Sequence, residues 1–180
     1  MLAAHVGPLT PLNGPVILAD YDPTWPEQYA AEARKICHAL GTQARLVKHV
    51  GSTSVPGLPA KPLLDILLLV SDSADEAGYV PALEAAGYRL HIREPEWYQH
   101  RLLKGDTPAV NLHVFSLGCE EAARMLLFRD WLRAHDDERD LYAATKRKLA
   151  AQTWRYTQNY ADAKSEVVRA ILTRALAAQE

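Results

Sequence analysis

A glycine turn rich in hydroxyls precedes an apolar strand that carries one carboxylate. The turn spans Gly51–Ser54, Lys61 follows it between two prolines, and Asp65 lies within the run 63–70. Glycine lets a backbone approach a ligand closely, and the N–H groups and hydroxyls of such a turn donate to anionic oxygens. This combination predicts binding of a phosphate group, with Asp65 holding a metal ion or polarising a hydroxyl. A solvated surface turn is the alternative interpretation.

Asp65 requires a partner, because the continuous apolar run around it predicts a strand buried on both faces. An unpaired charge in such a strand is costly to desolvate. His113 lies on another predicted strand, 110–115, where alternation places it on the same face as Asn111. If the two strands are neighbours, Asp65 and His113 hydrogen-bond and form an acid–base pair. With His49 as a third candidate the pair is also a donor set for zinc or manganese, and a purely structural pair is the alternative.

The elements that position these residues follow from periodicity and turn signals. A domain of mixed α/β type is predicted, with a sheet of about five or six strands flanked by helices and a helical C-terminal third. The predicted strands cover 16–19, 45–50, 63–70, 88–92, 97–104 and 110–115, and the predicted helices cover 24–40, 74–86, 120–134, 138–152 and 159–178.

The composition is that of a globular protein, with 180 residues, 48% hydrophobic, 23% charged and a net charge of −2. A nucleic-acid polymer is not expected as partner, since proteins that bind one are usually strongly basic. Apolar runs are too short to predict a membrane span. Two cysteines without metal-like spacing predict reduced thiols and a cytoplasmic location. Residues 1–14 are predicted to form a flexible arm before one domain over 15–178.

The residues also carry a family resemblance. Gly51 and Ser52, followed after twelve residues by Asp65, resemble the signature of the polymerase-beta-like nucleotidyltransferase superfamily. The string His49–Leu58 resembles more closely the GrpB family (UPF0157), and the resemblance covers about residues 15 to 175. The further segments that carry it are Lys61–Pro62, Leu64–Ile66, Asn111–Val114, Leu127–Arg133, Tyr142, Lys146–Ala150 and Tyr160–Lys164.

The resemblance implies a nucleotidyltransferase-like fold, a nucleotide or other phosphorylated small molecule as ligand, and transfer of a nucleotidyl or phosphoryl group. Some members of the family are fused to dephospho-coenzyme A kinase. The superfamily pattern has a second carboxylate two residues after the first, where this chain has Leu67, and its third carboxylate has no match beyond His113. Losing two of three carboxylates weakens a two-magnesium site.

Three functions therefore stay open: a transferase using magnesium, manganese or zinc, a non-catalytic binding module with a degenerate metal site, and a metal-independent acid–base enzyme. Lys164 lies at the edge of an apolar helical stripe. It is expected either to contact a phosphate group or only to extend its amine to solvent. His91, His100 and the helical Lys146 are interpreted as structural or solvated. The candidate residues are Asp65, His113 and Lys61 for catalysis, Gly51, Ser52, Thr53, Ser54 and Lys164 for phosphate, and Asp65 and His113 for metal.

Overall fold

The computed structural model describes residues 4–6 and 11–179. Its strands and helices alternate through the first two thirds of the chain, and helices dominate the last third. The strands are β1 (Ala4–His5), β2 (Pro11–Gly14), β3 (Leu46–Val50), β4 (Leu64–Val70), β5 (Arg89–Glu94), β6 (His100–Asp106), β7 (Ala109–Ser116) and β8 (Trp154–Tyr156). The helices are α1 (Trp25–Leu40), α2 (Val80–Ala85), α3 (Glu120–Ala134), α4 (Asp136–Ala150), α5 (Thr157–Ala163) and α6 (Ser165–Ala177).

Six strands form one mixed sheet in the order β1-β5-β6-β7-β4-β3. The central pair β4 and β7 is parallel, and the other neighbours are antiparallel. Strands β2 and β8 form a separate two-stranded sheet. The predicted mixed α/β fold with five or six strands and a helical C-terminal third is thereby confirmed.

Strand β4 is covered on both faces, as its apolar run predicts. Leu64, Ile66 and Leu68 pack with buried residues of α1 and α2. Leu67 and Leu69 point to the other face, where they pack against α3 through Ala122. Because side chains alternate along a strand, Asp65 shares the face of Leu67, at the end of β4 that α3 leaves uncovered for the later helices.

Helix α1 begins and ends where the sequence predicts, but its first turn is stabilised differently. Thr24 and Glu27 have the spacing of a capping box, but no side-chain cap hydrogen bond forms. The Thr24 hydroxyl instead donates to Asp22 Oδ1 at 2.7 Å and accepts from Gln28 Nε2 at 3.0 Å. Asp22 Oδ1 also accepts from the Thr24 backbone N–H at 2.8 Å, which is the group that Glu27 would contact in a capping box.

The last predicted helix is interrupted at Lys164, and its two parts pack in different places. Tyr160 of α5 packs with Val16 and Ala150, whereas Ile171 of α6 packs against α3 and α4. Since one straight helix presents a single apolar stripe, the break lets each part cover its own cluster. Strand β8, which pairs with β2, was not predicted.

The predicted arm over 1–14 lies partly outside the described residues. Of the residues described there, Ala4–His5 pairs with β5 and Pro11–Gly14 pairs with β8. The predicted strand at 16–19 is reduced to one bridge between Ala19 and Ala60. Within residues 4–6 and 11–179, no helix has the length and apolar character needed to cross a membrane.

Candidate functional site

The turn after β3 lies directly against Asp65. Gly51 has a φ of 70°, and a Cβ atom there would lie 2.6 Å from Asp65 Oδ2. Because a heavy-atom contact this short is repulsive and a positive φ disfavours other residues, only glycine suits this position. The residues Ser52–Ser54 continue as a short 3₁₀ turn. The close backbone approach that the glycine permits is thus an approach to the Asp65 carboxylate of β4.

The hydroxyls of the turn have different roles. Ser54 Oγ donates to the Gly51 carbonyl at 2.5 Å, and Thr53 Oγ1 lies 2.9 Å from His49 Nε2. Both residues are buried and use their hydroxyls within the turn. Ser52 is the hydroxyl residue of this turn that lines the neighbouring cavity. The structure therefore places Ser52 at the wall of this cavity and Thr53 and Ser54 behind it.

Two arginines of α3 hold the turn from the other side. Arg129 Nη1 donates to the His49 carbonyl at 3.0 Å, and Arg133 Nε donates to the Ser54 carbonyl at 2.8 Å. Both arginines also pair with the exposed Asp130 of their own helix, but their guanidinium groups reach backbone far away in the chain. They fix the turn against β4.

A cavity of about 40 Å³ lies beside Asp65. It is enclosed by the turn after β3, the segment leading into β4, helix α4 and the junction of α5 and α6. Four of its residues were predicted for the site from sequence, and Lys146 and Tyr160 were not. The residues that line the cavity are Ser52, Ala60, Lys61, Leu63, Asp65, Lys146, Tyr160 and Lys164. We call it the lysine cavity.

Lys146 is the most deeply buried of the three lysines, with 1% of its surface exposed. Its Nζ donates to the Pro59 carbonyl at 2.6 Å. Burial, together with the charges of Lys164 and Lys61, lowers the pKa of Lys146 to about 6, and Asp65 acts in the opposite direction. The interpretation of Lys146 as part of a solvated face is therefore wrong.

Lys164 and Lys61 complete the cationic wall. Their Nζ atoms lie 4.6 Å and 5.7 Å from the centre of the Tyr160 ring, within the range of a cation–π interaction. Burial, then the charge of Lys61, lowers the pKa of Lys164 to about 8. The pKa of Lys61 is lowered by burial, with Asp65 acting in the opposite direction. Three lysine amines thus line the same cavity as one carboxylate.

The hydroxyl of Tyr160 is a buried polar group without a hydrogen-bond partner among the described residues. The side chain is 0% exposed, and burial raises the pKa of Tyr160 to about 12. An unsatisfied buried hydroxyl costs about 1–3 kcal/mol. Because Tyr160 also lines the lysine cavity, it is a further candidate for ligand contact.

The predicted hydrogen-bonding contact between Asp65 and His113 is present in the structure. Strands β4 and β7 are parallel neighbours, and His113 Nε2 lies 3.1 Å from Asp65 Oδ1. Burial raises the pKa of Asp65, but the hydrogen bond and charge of His113, with Lys164 and Lys61, outweigh it and lower the pKa overall. Asp65 is therefore held as a carboxylate.

His113 has a second histidine on its other side. His100 Nε2 lies 3.1 Å from His113 Nδ1, and His100 Nδ1 lies 2.6 Å from Glu94 Oε2. Burial lowers the pKa of His100, and Glu94 acts against that effect. His100 was left out of the site at the sequence level, since the pairing of β6 with β7 that brings it to His113 is invisible without the register.

His49 does not join Asp65. In the pairing of β3 with β4 it lies opposite Ile66, on the other face of the sheet. Its ring stacks on Tyr29 with 4.8 Å between ring centres, and burial lowers the pKa of His49 to about 4. His49, the suggested third member of a metal or acid–base site, therefore lies on the opposite face of the sheet from Asp65.

Comparison with known proteins now identifies the family. A family model with the description GrpB protein matches residues 15–174 of the chain. The chain belongs to the GrpB family. It is 58% identical over 170 residues to a UPF0157 protein of Halalkalibacterium halodurans, with 94% of this chain and 87% of that protein covered. A dephospho-CoA kinase of Mycolicibacterium paratuberculosis is 34% identical over 161 residues, which cover 75% of this chain and 40% of the kinase.

Solved structures agree with this GrpB assignment. The GrpB protein of Enterococcus faecalis has a TM-score of 0.76 and 28% identity, covering 91% of this chain and 99% of that chain. The Cid1 poly(U) polymerase with magnesium and 3′-dATP bound has a TM-score of 0.53 and 14% identity, covering 73% of this chain and 44% of that chain. At that identity the second comparison shows the fold alone, which is nucleotidyltransferase-like.

The residues of this GrpB chain do not fit a two-metal centre. The superfamily's second carboxylate position is Leu67, which is 0% exposed in the core. Across residues 4–6 and 11–179, no group of three or more histidine, cysteine or acidic side chains is placed to hold a metal ion. Asp65 is surrounded by lysines, whereas magnesium prefers several oxygen ligands. The metal roles of Asp65 and His113 stay predictions.

Proposed function

We propose that this GrpB-family chain binds a phosphorylated small molecule, with one phosphoryl group in the lysine cavity. The observation that carries the proposal is the donor set around the cavity. Lys61, Lys146 and Lys164 face a single carboxylate, and the buried Tyr160 hydroxyl has no partner within the described chain. Ammonium and hydroxyl donors of this kind favour a ligand with several anionic oxygens.

The volumes of two neighbouring cavities support a ligand that has a phosphoryl group and a separate organic part. The lysine cavity, at about 40 Å³, exceeds the ~10–15 Å³ that one water needs, and it suits a group of phosphoryl size rather than a nucleoside. A neighbouring cleft of about 150 Å³ shares Lys61 with it. This cleft is lined by polar groups that include Asn111, Thr157 and Gln158. The organic part of the ligand, a nucleoside or a smaller polar group, is proposed to lie there.

A second candidate function is acid–base catalysis on the bound molecule, as in nucleotidyl or phosphoryl transfer without a metal. The hydrogen bond between Asp65 Oδ1 and His113 Nε2, at 3.1 Å, favours it. A carboxylate that borders a phosphate site can take the proton of an attacking hydroxyl, while lysines neutralise the charge on the phosphoryl oxygens. The likeness to Cid1 supports this candidate through the fold alone.

The first experiment is a thermal-shift screen, since a ligand of the native state raises the melting temperature by mass action. Inorganic phosphate, nucleoside triphosphates, coenzyme A precursors and sugar phosphates are each tested with and without magnesium, manganese and zinc. We expect a shift that needs no metal. A shift that depends on a metal would overturn the role given to the lysines, and no shift with any compound would overturn the proposal.

Two lysine variants on α4 sharpen the screen. Lys146→Met removes a buried amine of the lysine cavity, and Lys148→Met makes the same change at an exposed position of the same helix. We expect the shift to disappear in the first variant and to persist in the second. Equal shifts in both variants would place the anion elsewhere.

A further inference from the structure

The lysine cavity and the neighbouring cleft lie along one row of side chains on the sheet. The register of β6, β7 and β4 pairs Lys104 with Asn111 and Asn111 with Asp65. Because residues paired in this way share a face of the sheet, the three side chains stand side by side. Asp65 lines the lysine cavity, whereas Asn111 and Lys104 line the cleft.

Helix α5 and the residue that follows it cover both spaces. Tyr160 and Lys164 line the lysine cavity, and Thr157 and Ala161 line the cleft. Residues three or four positions apart lie on the same side of a helix, so one side of α5 leads from the cleft to the cavity. Lys61 lines both spaces and marks the place where they meet.

The charged side chains that line the cleft have one sign. They are Lys61 and Lys104, joined by the titratable His91, and among the described residues no aspartate or glutamate lines this space. The other polar groups of the cleft are neutral amides and hydroxyls, those of Asn111, Gln158, Tyr156 and Thr157. Cationic and neutral donors without a carboxylate favour an anionic group in the cleft as well as in the lysine cavity.

Lys104 lies at a distance from the lysine cavity. Two strand spacings separate its backbone from that of Asp65, a distance of ~10 Å at about 4.8 Å for each spacing. Burial, and then the charge of Arg89, lowers the pKa of Lys104, whereas Asp106 acts in the opposite direction. The Asp106 carboxylate accepts two hydrogen bonds from Arg89 Nη2, at 2.8 Å and 2.7 Å. Its negative charge is therefore directed to the arginine.

Part of the cleft wall suits carbon atoms. Ile92 and Leu102 are paired on β5 and β6, and both line the cleft opposite the small Ala161 of α5. The cleft has a volume of about 150 Å³, compared with about 40 Å³ for the lysine cavity. It therefore has room for a short carbon chain in addition to one anionic group.

We propose that the ligand carries two separated phosphoryl groups, one in the lysine cavity and one at Lys104 in the cleft, joined by a short organic chain. This inference rests on the proposed function, which supplies the first phosphoryl group. Lys61 lies between the two groups and interacts with both. Lys104 is thereby a specificity-determining residue, which selects bisphosphorylated small molecules over monophosphates.

The test is calorimetry with two compounds that differ only in the second anionic group, butylphosphonate and butane-1,4-bisphosphonate. We expect the bisphosphonate to bind the wild-type protein more tightly by roughly tenfold or more, which is the effect of one charged hydrogen bond. Equal affinities would overturn the proposal. Pyrophosphate, whose two anionic groups are adjacent, tests their separation. A pyrophosphate affinity equal to that of the bisphosphonate would overturn the placement of the second group at Lys104.

Two lysine variants test the assignment to Lys104. Lys104→Met should remove the advantage of the bisphosphonate and leave the affinity for butylphosphonate unchanged. Lys48→Met removes the same charge at an exposed position of β3 that lines neither space, so it should keep the wild-type ratio of affinities. The same ratio in both variants would show that only the overall charge matters, and would refute the role of Lys104.

A change of shape provides a test that keeps the charge of the cleft. Ala161→Leu introduces three carbon atoms into the cleft on a helix that accepts leucine well. We expect it to weaken binding of the bisphosphonate several-fold and to leave binding of inorganic phosphate unchanged. An affinity for the bisphosphonate equal to that of the wild-type protein would refute the placement of the organic chain.

The failure of this inference is distinguishable from the failure of the proposed function. Inorganic phosphate needs only the lysine cavity, so it should bind equally to the wild-type protein, Lys104→Met and Ala161→Leu, and not to Lys146→Met. Binding of phosphate with this pattern, together with a bisphosphonate affinity that does not depend on Lys104, would refute the second phosphoryl group alone. Absence of binding by any phosphorylated or phosphonate compound would refute both.

Discussion

Lys146→Met should stabilise the folded protein, although it removes a lysine of the proposed site. The unfolded chain holds its lysine proton up to a pKa of about 10.5, whereas in the fold the pKa of Lys146 is about 6. At pH 7 folding therefore forces out a proton, at a cost on the order of 5 kcal/mol at ~1.4 kcal/mol per pH unit. Methionine has similar length and no charge to desolvate.

Part of that gain is lost with the hydrogen bond. The Pro59 carbonyl, which accepts from Lys146 Nζ at 2.6 Å, would be left unpaired in the variant. An unsatisfied buried acceptor costs about 1–3 kcal/mol. We therefore expect Lys146→Met to be more stable than wild type by roughly 2–4 kcal/mol at pH 7.

The stability difference between the wild-type protein and Lys146→Met should change with pH in one direction. Between about pH 6 and pH 10.5 the unfolded state binds more protons at this position than the folded state. The stability of the wild-type protein should therefore rise relative to the variant by ~1.4 kcal/mol per pH unit. The advantage of the variant is largest at and below about pH 6, falls to zero between about pH 8.5 and pH 10, and reverses above that because the hydrogen bond to Pro59 is missing.

Urea unfolding followed by tryptophan fluorescence at pH 6, 7, 8 and 9 measures this difference. The matched control is Lys148→Met, whose exposed amine should change stability by less than ~0.5 kcal/mol at every pH. A variant less stable than wild type at pH 7, or an advantage that does not change with pH, would refute the reasoning.

Three further substitutions test the site. Gly51→Ala should lower the free energy of unfolding by about 1–3 kcal/mol, measured with urea, since its Cβ meets Asp65 Oδ2 at 2.6 Å; wild-type stability would contradict the close approach. Tyr160→Phe should keep or slightly raise that free energy and weaken phosphate binding in calorimetry, and a marked loss of stability would mean that the hydroxyl has a protein partner. Asp65→Asn should lower the pKa of Lys164 below about 8, because the carboxylate raises it; NMR titration of the lysine amine would disprove this by showing no downward change.

The central strand and its carboxylate were predictable because their signals are local. An apolar run with one acid predicts a strand that is covered on both faces and a partner for Asp65. Alternation along the strand 110–115 predicts the face on which His113 lies. The glycine turn and the bounds of α3 follow from spacing in the same way. These signals need only a few consecutive residues.

Lys146 and His100 could not be placed from local pattern. Lys146 lies among charged residues on a helix, which is typical of a solvated face, but the carbonyl that receives it belongs to Pro59, 87 residues earlier. His100 reaches His113 only through the register of β6 on β7. The interruption at Lys164 depends likewise on two separate apolar clusters. Each of these features is set by tertiary packing.

The proposed site differs from a metal centre in how it acquires charge. A bound metal ion has a fixed charge, whereas Lys146, with a pKa of about 6, is mostly neutral at pH 7 when the cavity holds no anion. A phosphoryl group beside it favours the charged amine, so ligand entry itself draws in a proton. The empty fold thus avoids part of the cost of three buried ammonium groups, and the full positive charge arises when the anion is there to balance it. A lysine in this position accordingly limits stability and would contribute to the proposed binding.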